Sequence, residues 1–571
     1  MTTILISILA YIAVGIYVGR KVKGIEDYMV VGRQAPTLLI VGTLVASFLS
    51  TSTFLGNTGM AYGINAGVWI LFPGIAFSGY IYGAIFFGRY LRRSRSLTIA
   101  EYFGRRFESR SVQLAAGVTV IIGIGCYLIA VTQGAAIILS NLTELTYTQS
   151  LIIAWLSYTS FTLYSGSKGV VITDTMMFML FIAVSVFALA AILQTQGGWL
   201  TALNALVTQE TKPELMSWHG VVGPGKPWVT PTDLLIWVVI TQIAWSLVIA
   251  ISPWQASRYL MAKNEHVVMR SACIAPICII CISTMLYAAA AAVNLSKTDI
   301  DPNQEVMIWA ALNLMPPLLG SLLLAGIVAA ALSSATTFLS LVGFNVSNDM
   351  MHRSHRNDAS ALRYSRKIML LVSLVTLVIA LMVKPQIFWL TFFAGPLFAS
   401  AWGPVAFMSV WSKKITAAAA LWGMAAGFFG NIIPKVLDSV GLIDLPSYLD
   451  PILLGAVTSL VVIVWVSGRT VVSDTEKAYR KILHEIPDED ISDRETRKTI
   501  FFAYAIGLFG VLGTIVLIVF YVIPYQSAIA LAGTHPAYDW FSVEAIFAYC
   551  WSVVFLSCAV LMRHTARVSY G

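Results

Sequence analysis

The stretch "VASFLSTSTFLGNTGMAYG", Val45–Gly63, lies inside an apolar segment that is long enough to cross a membrane. It combines a cluster of hydroxyl and amide side chains with closely spaced glycines, which a plain spanning helix does not need. The polar residues are Ser47, Ser50, Thr51, Ser52, Thr53, Asn57 and Thr58, and the glycines are Gly56, Gly59 and Gly63. Carbonyls that lose their intrahelical partners cannot face lipid, but they can line a cavity and bind an ion. The stretch therefore predicts a helix that breaks near Ser50–Gly56 and binds a ligand at the break.

The rest of the chain has the composition of an integral membrane protein. Of its 571 residues, 58% are hydrophobic and 11% are charged, whereas a soluble domain carries about 25% charged residues. Apolar runs of spanning length recur from end to end and predict fifteen helices. Their approximate centres are residues 11, 48, 79, 127, 157, 182, 245, 282, 334, 375, 399, 424, 459, 512 and 551. The expected fold class is an all-α integral membrane protein with about 13–15 transmembrane helices.

The distribution of basic residues predicts the orientation of these helices. With the N-terminus outside, the cytoplasmic loops hold 31 of the 36 Lys and Arg residues, as the positive-inside rule requires. The outer loops hold Lys212, Lys226, Lys297, Lys384 and Lys435. We therefore expect a multi-pass protein of the plasma (inner) membrane with its C-terminus in the cytoplasm. The net charge of +8 then reflects orientation and not nucleic-acid binding.

Two loops are long enough to have structures of their own. Residues 196–232 are external and rich in Gly, Pro and Trp, which predicts a small cap. Residues 469–499 are cytoplasmic and highly charged. A charge run of this kind usually indicates a solvated linker helix, and the alternative is a docking segment for a cytoplasmic partner.

Polar residues within the spans are the candidates for function, because placing a polar or ionisable side chain in the membrane is energetically unfavourable. Asp174 lies near the start of the sixth span. It is either a functional residue on the path of an ion or an interfacial carboxylate near the backbone N–H groups at the start of the helix. In the ninth span, small and hydroxyl residues share one helical face: Gly326, Ala330, Ser333, Ser334 and Thr337. This face allows either close helix packing or ligation of a hard cation by oxygen atoms.

The seventh span is also interrupted by polar residues. Gln242, Trp245 and Ser246 break an apolar run, and Pro253 predicts a kink before a cytoplasmic Arg258. Trp245 is then either a packed core aromatic or part of a solute site.

Taken together, these segments resemble the sodium:solute symporter family. The matching pieces are "ASFLSTSTFLGNTGMAYG", "GSKGVVITD", "SPWQASRYLMAKNE" and "AGIVAAALSSATTFLS", in the expected order within roughly residues 1–470. The resemblance implies a ten-helix core of two inverted five-helix repeats, spans two to six and seven to eleven. We expect an N-terminal helix and linker (1–35), a first repeat (36–200), a second repeat preceded by the external loop (201–412) and C-terminal peripheral helices (413–571).

The resemblance also implies ligands for sodium (Na+). The family pattern maps onto the carbonyls of Ala46, Leu49 and Ala330 and the hydroxyls of Ser333 and Ser334. A second sodium, which some relatives hold, maps onto Ser333, Thr336, Thr337 and Asp174. The sequence departs from the family pattern at three places. Ser165-Gly166 replaces a frequent Gly-Gly pair, Met177 replaces a frequent Gln, and Phe48 replaces an acidic residue of proline carriers. These departures bear on the affinity for sodium and on the number of sodium ions bound.

The expected solute site lies between spans two, four and seven. Its predicted wall consists of Ser50, Thr53, Phe54, Tyr127, Gln133, Gln242, Trp245 and Ser246. The resemblance implies a sodium-coupled symporter that imports a small organic solute by alternating access, with a carboxylate or an amino acid favoured and a sugar left open. The alternative is a membrane sensor that binds a solute without net transport. A membrane enzyme is the third class, and no nucleophile–base pair, phosphate loop or metal cluster in the sequence supports it.

Overall fold

The computed structural model describes residues 2–351, 357–384, 387–531 and 538–571, with the side chains of residues 2, 387–393 and 447 outside that description. Helices cover all fifteen predicted centres, and we number these helices α1 to α15. The first seven are Thr2–Gly19 (α1), Thr37–Phe48 with Ser52–Leu71 (α2), 73–94 (α3), Arg110–Leu142 (α4), 147–165 (α5), 167–195 (α6) and Pro231–Met261 (α7). The others are Glu265–Val293 (α8), Pro317–Met350 (α9), Asp358–Met382 (α10), Ile387–Trp411 (α11), Ala417–Ser439 (α12), Pro451–Ser467 (α13), Asp493–Leu531 (α14) and Val543–Tyr570 (α15).

The length and apolar character of these helices confirm a multi-pass membrane protein of the all-α class. Among the described residues, nine helices are long and apolar enough to cross a membrane, or ten when the two halves of α2 count as one span. The apolar helices Thr3–Gly19 and Pro451–Ser467, in α1 and α13, are shorter than the nine spanning helices.

Helix α2 is broken where the hydroxyl cluster predicts it. The first half ends at Phe48, Leu49 has the non-helical ψ of 78°, and the second half begins at Ser52. The two halves are bent by 52°. The hydroxyl of Ser50 accepts a bond from the amide of Ser52 at 3.1 Å, so a local side chain caps the new helix start in the way Ser and Thr do at helix N-termini.

Helix α7 is interrupted at Pro253, also as predicted. Ser252 adopts an extended conformation, with φ −61° and ψ 147°, and Pro253 begins a second helical piece that ends at Met261. Proline donates no amide hydrogen bond and disfavours helical geometry in the residue before it. The break therefore follows directly from the "SP" pair in the sequence.

Helices α5 and α6 form a hairpin around Gly166. Gly166 has φ 56° and ψ −152°, and a Cβ at this position would collide with the ring of Tyr28. The far ends of both helices meet one linker, because Asn141, just before α5, bonds to Glu305 and Gln196, just after α6, bonds to Ser296. The Ser165-Gly166 pair thus places the "TD" motif at the start of a separate span.

The last two helices, α14 and α15, pack against the end of α2 and the residue that follows it. The Trp551 indole donates to the carbonyl of Leu71 at 2.7 Å, and the rings of Phe72 and Phe547 lie 3.9 Å apart. Helices α14 and α15 are held together by the hydroxyl of Thr514, which donates to the carbonyl of Ala548 at 2.7 Å. These extra helices therefore support the junction between α2 and α3.

Both long loops pack onto the helices. In the external loop, Val221 donates from its amide to the carbonyl of Ile64 at 2.7 Å, so the segment covers the far end of α2. In the charged loop, a helix forms over Asp474–His484. It is not a free solvated linker, since Arg93 donates to the carbonyl of Leu483 at 2.9 Å.

Candidate functional site

The break in α2 frees two backbone carbonyls. In a continuous helix the amides of Ser50 and Thr53 would bond to the carbonyls of Ala46 and Leu49. Here they bond instead to the carbonyls of Phe48, at 2.9 Å, and Ser50, at 3.0 Å. The carbonyls of Ala46 and Leu49 consequently lose their usual helical partners and are available as oxygen ligands.

Helix α9 presents hydroxyl groups from the opposite side. The first half of α2 packs against α9, and Ser333 and Ser334 are fully buried. The Ser334 hydroxyl oxygen has no hydrogen-bond partner within the described residues. An unpaired buried hydroxyl is unfavourable unless a ligand satisfies it, and hard cations take oxygen ligands. The predicted sodium residues therefore have the chemistry that a sodium ion requires.

Asp174 lies at the meeting point of four helices. Its carboxylate accepts a bond from Thr43 on α2 at 2.6 Å and one from Ser333 on α9 at 2.7 Å. The guanidinium of Arg258 on α7 approaches to 3.9 Å, and both side chains are buried, at 0% and 2% exposure. The contacts of Asp174 are thus with side chains from neighbouring helices, and a simple helix-start role does not account for them.

Arg258 is a buried residue whose contacts the sequence did not predict. The sequence assigned it to the cytoplasmic side beyond the Pro253 kink, but the guanidinium lies in the core and donates to the Thr337 hydroxyl at 2.5 Å. Of the predicted second sodium set, Arg258 therefore contacts Thr337 and Asp174. The Thr336 hydroxyl donates to the carbonyl of Ser333 at 2.8 Å.

A cavity of about 760 Å³, its mouth included, lies beside the break. Its wall comes from both halves of α2, from α3 and α4, and from α7 and α8. The lining residues are Phe48, Ser52, Thr53, Asn57, Val68, Trp69, Pro73, Ala76, Phe77, Tyr127, Trp237, Val238, Thr241, Gln242, Trp245, Ile249 and Tyr287. Most of this wall is aromatic or aliphatic, which is usual for small-molecule sites.

Four of the eight predicted solute residues line this cavity: Thr53, Tyr127, Gln242 and Trp245. The other four are not among its lining residues. Phe54 packs on Phe181 with ring centroids 5.5 Å apart, and the Gln133 amide donates to the carbonyl of Val383 at 2.7 Å. The hydroxyl of Ser50 caps the broken helix, and that of Ser246 lies 3.5 Å from the Ser78 hydroxyl.

The sequence did not predict Phe48, Trp69, Phe77 or Tyr287 as residues of the cavity wall. The Phe48 ring lies 5.0 Å from Phe77 and 6.3 Å from Trp245, and the Trp69 ring lies 5.5 Å from Tyr287. These residues come from segments separated by many helices. Aromatic residues are common throughout the spans, so only the tertiary packing distinguishes this group from ordinary core residues.

The predicted ion ligands Ala46 and Leu49 share one short segment of chain with the cavity. Ala46 and Leu49 lie on the same turns of α2 as the cavity residues Phe48, Ser52 and Thr53. Binding of an ion to the freed carbonyls would therefore order the backbone that carries part of the cavity wall.

Comparisons with known proteins show which transporters the chain resembles. The chain is 23% identical over 463 residues to the sodium/pantothenate symporter of Escherichia coli K12, covering 77% of this chain and 91% of that protein. It is 23% identical over 471 residues to the sodium/proline symporter of the same organism, covering 78% and 89%. A solved structure of a Na+-coupled sialic acid symporter, in a substrate-bound outward-open state, superposes with a TM-score of 0.70 at 18% identity, covering 83% of this chain and 98% of that one.

This likeness is consistent with the ten-helix core of two inverted repeats that is expected from the sequence. The model of the sodium:solute symporter family matches residues 28–427, which is well over half of the chain and includes both broken helices. The protein therefore belongs to the sodium:solute symporter family, and it is a transporter and not an enzyme.

Proposed function

We propose that the protein imports a small organic solute together with sodium, with an amino acid or another carboxylate as the favoured solute class. The names of the pantothenate and proline relatives support this class. The N-terminus would lie outside and the C-terminus in the cytoplasm of the plasma (inner) membrane. The repeats, residues 36–200 and 201–412, would move against each other to expose the cavity to each side in turn.

The broken helix α2 is the observation that carries this proposal. One segment, residues 46–53, supplies both the freed carbonyls and the cavity residues Ser52 and Thr53. A sodium ion there stabilises a particular geometry of the break, and that geometry sets the shape of the solute wall. A ligand shifts an equilibrium only through its different affinity for the two states, and this shared segment provides that difference.

The sodium ligands can be tested by removing both hydroxyls of α9. We expect the Ser333→Ala/Ser334→Ala protein to raise the sodium concentration for half-maximal uptake by roughly tenfold or more, since about 1.4 kcal/mol of lost binding free energy corresponds to tenfold. The assay is uptake of radiolabelled solutes into proteoliposomes, with and without an inward sodium gradient. Ser321→Ala is the matched control, because this hydroxyl lies on the same helix and donates to the carbonyl of Leu318.

Three results would contradict parts of the proposal. Sodium dependence like that of the unmodified protein in the folded double variant would refute the ligand assignment. Equal solute uptake with and without the inward sodium gradient would refute sodium coupling. Solute binding without any uptake would favour the sensor.

A further inference from the structure

Two amide side chains in the solute cavity are each held by one hydrogen bond, and they present opposite groups to a solute. They are Asn57 on the second half of α2 and Gln242 on α7, and both line the cavity. Their role in selecting a solute rests on the proposed function, because it presumes that this cavity is the transport site.

Asn57 offers an acceptor. Its amide nitrogen donates to the hydroxyl of Tyr287 at 3.1 Å, which fixes the orientation of the side chain. Its carbonyl oxygen, Oδ1, is buried and has no hydrogen-bond partner within the described residues. A buried acceptor without a donor costs about 1–3 kcal/mol, so a solute with an N–H group would relieve that cost.

Gln242 offers a donor. Its side-chain oxygen accepts the backbone amide of Ala76 at 3.3 Å, and this leaves the amide NH2 as the group that can turn to a solute. An amide NH2 donates but does not accept. It therefore suits a carboxylate or carbonyl oxygen.

The remaining wall limits the charge of the solute. Among the described lining residues there is no Lys, Arg, His, Asp or Glu, and an unpaired charge in such a wall is costly. Sodium at the break can compensate a carboxylate, so charge alone does not decide between an anion and a zwitterion. The acceptor of Asn57 decides between them because it requires a donor, and the aromatic rings of Trp69 and Tyr287, which line the same cavity, favour a cationic donor.

From this geometry we infer that the transported solute is a zwitterion whose ammonium N–H group is recognised by Asn57 and whose carboxylate lies toward Gln242. Asn57 is then the residue that selects amino acids over simple carboxylates. A primary or secondary ammonium satisfies it, whereas a trimethylammonium group has no N–H to donate.

The test uses pairs of compounds that differ only in the amino group. In detergent at saturating sodium, the thermal stability of the purified full-length protein is titrated with L-proline against cyclopentanecarboxylate and with L-leucine against 4-methylpentanoate. We expect stabilisation by the amino acid of at least one pair and at least tenfold weaker binding of its deaminated partner. Equal or tighter binding of the carboxylates, or stabilisation by neither amino acid, would overturn the inference.

Two variants of Asn57 separate the roles of acceptor and donor. Asn57→Leu removes the acceptor and should weaken amino-acid binding by roughly 10- to 100-fold, the range expected for a hydrogen bond to a charged group. Asn57→Asp keeps an acceptor and should keep the preference for the amino acid. If Asp abolishes the preference as Leu does, Asn57 acts as a donor and the inference is wrong.

A control distinguishes failure of this inference from failure of sodium coupling. Asn313→Leu makes the same change on an exposed residue whose amide donates to its own helix at Trp309, and it should leave every titration unchanged. Stabilisation by sodium alone should persist in all variants. Intact sodium stabilisation with a preference for carboxylates would overturn only the zwitterion assignment, whereas loss of the sodium effect in the unmodified protein would overturn the proposed function.

Discussion

Ser333 shows how one hydroxyl can contact both an ion and an acid. Its hydrogen is donated to Asp174 at 2.7 Å, which leaves the lone pairs of the oxygen free, since a hydroxyl has one donor and two acceptor sites. Its neighbour Ser334 has a buried hydroxyl with no partner in the described part of the chain. The two hydroxyls thus keep oxygen lone pairs that can accept a cation, and Asp174 fixes the orientation of the Ser333 hydroxyl.

The position of Trp245 in the cavity wall predicts a specific role for this side chain in solute binding. Its ring contacts Phe48 and lines the cavity, so Trp245→Ala should weaken solute binding while sodium stabilisation stays largely intact. Trp402→Ala is the control, because Trp402 is fully buried and its truncation should cost about 3–5 kcal/mol of stability. Thermal unfolding with sodium alone and with sodium plus solute measures both effects. A loss of stability in Trp245→Ala as large as that of the control, with solute stabilisation preserved, would show that Trp245 is a core residue.

At the scale of elements, four helices meet at one buried ion pair. The carboxylate of Asp174 on α6 contacts three side chains from other helices, which are Thr43 on α2, Arg258 on α7 and Ser333 on α9. Two of these helices are broken, and the carboxylate meets the first half of α2 and the second half of α7. Movement of either half therefore changes the surroundings of Asp174.

Asp174→Asn should consequently affect both stability and ion dependence. Removing one charge of a buried pair leaves Arg258 uncompensated, which typically costs about 3–5 kcal/mol. We also expect a shallower dependence of uptake on sodium. Adding Arg258→Met to the variant should recover much of the melting temperature without restoring the sodium dependence. An unchanged sodium titration in Asp174→Asn would assign the pair a purely structural role.

The sequence predicts the breaks in these elements better than their contacts. The hydroxyl–glycine cluster of Val45–Gly63 and the "SP" pair at Ser252-Pro253 act locally, so each break could be located without the fold. Arg258 could not be placed, because a buried arginine is acceptable only beside an acid, and Asp174 is distant in sequence. The aromatic residues of the cavity wall are likewise brought together by packing between helices that are distant in sequence. No local pattern in the sequence predicts this packing.

At the scale of the whole molecule, residues 473–492 form a strap that joins the two predicted repeats, residues 36–200 and 201–412. Toward the first repeat, Arg93 donates to the carbonyl of Leu483 and Arg106 to that of Glu476. Toward the second repeat, the Arg480 guanidinium donates to the carbonyl of Val410 at 3.2 Å. The strap also covers the ion pair of Arg93 and Glu265, 2.5 Å apart and almost fully buried. The charged loop of the sequence is thus a structural link between the two repeats.

Asp490 in the strap should make the stability of this link depend on pH. Burial, followed by the charge of Glu265, raises the pKa of Asp490 from 3.8 to about 6. A carboxyl whose pKa is higher in the folded state binds its proton more tightly there, so its contribution to stability is present at low pH and is lost as pH rises through about 6. Asp490→Asn keeps an oxygen that can accept the amide of Glu265, as Asp490 does at 3.2 Å, but it cannot titrate.

The measurement is the melting temperature of the unmodified protein minus that of Asp490→Asn, taken in detergent across the pH range from about 4.5 to 8. We expect this difference to fall as pH rises and to level off above pH 7, where Asp490 is ionised in both the folded and unfolded states. Taking the difference cancels the titration of His484 and of the other carboxylates, which both proteins share. A difference that is flat across this range, or that rises with pH, would show that the carboxyl of Asp490 is not held protonated by the strap.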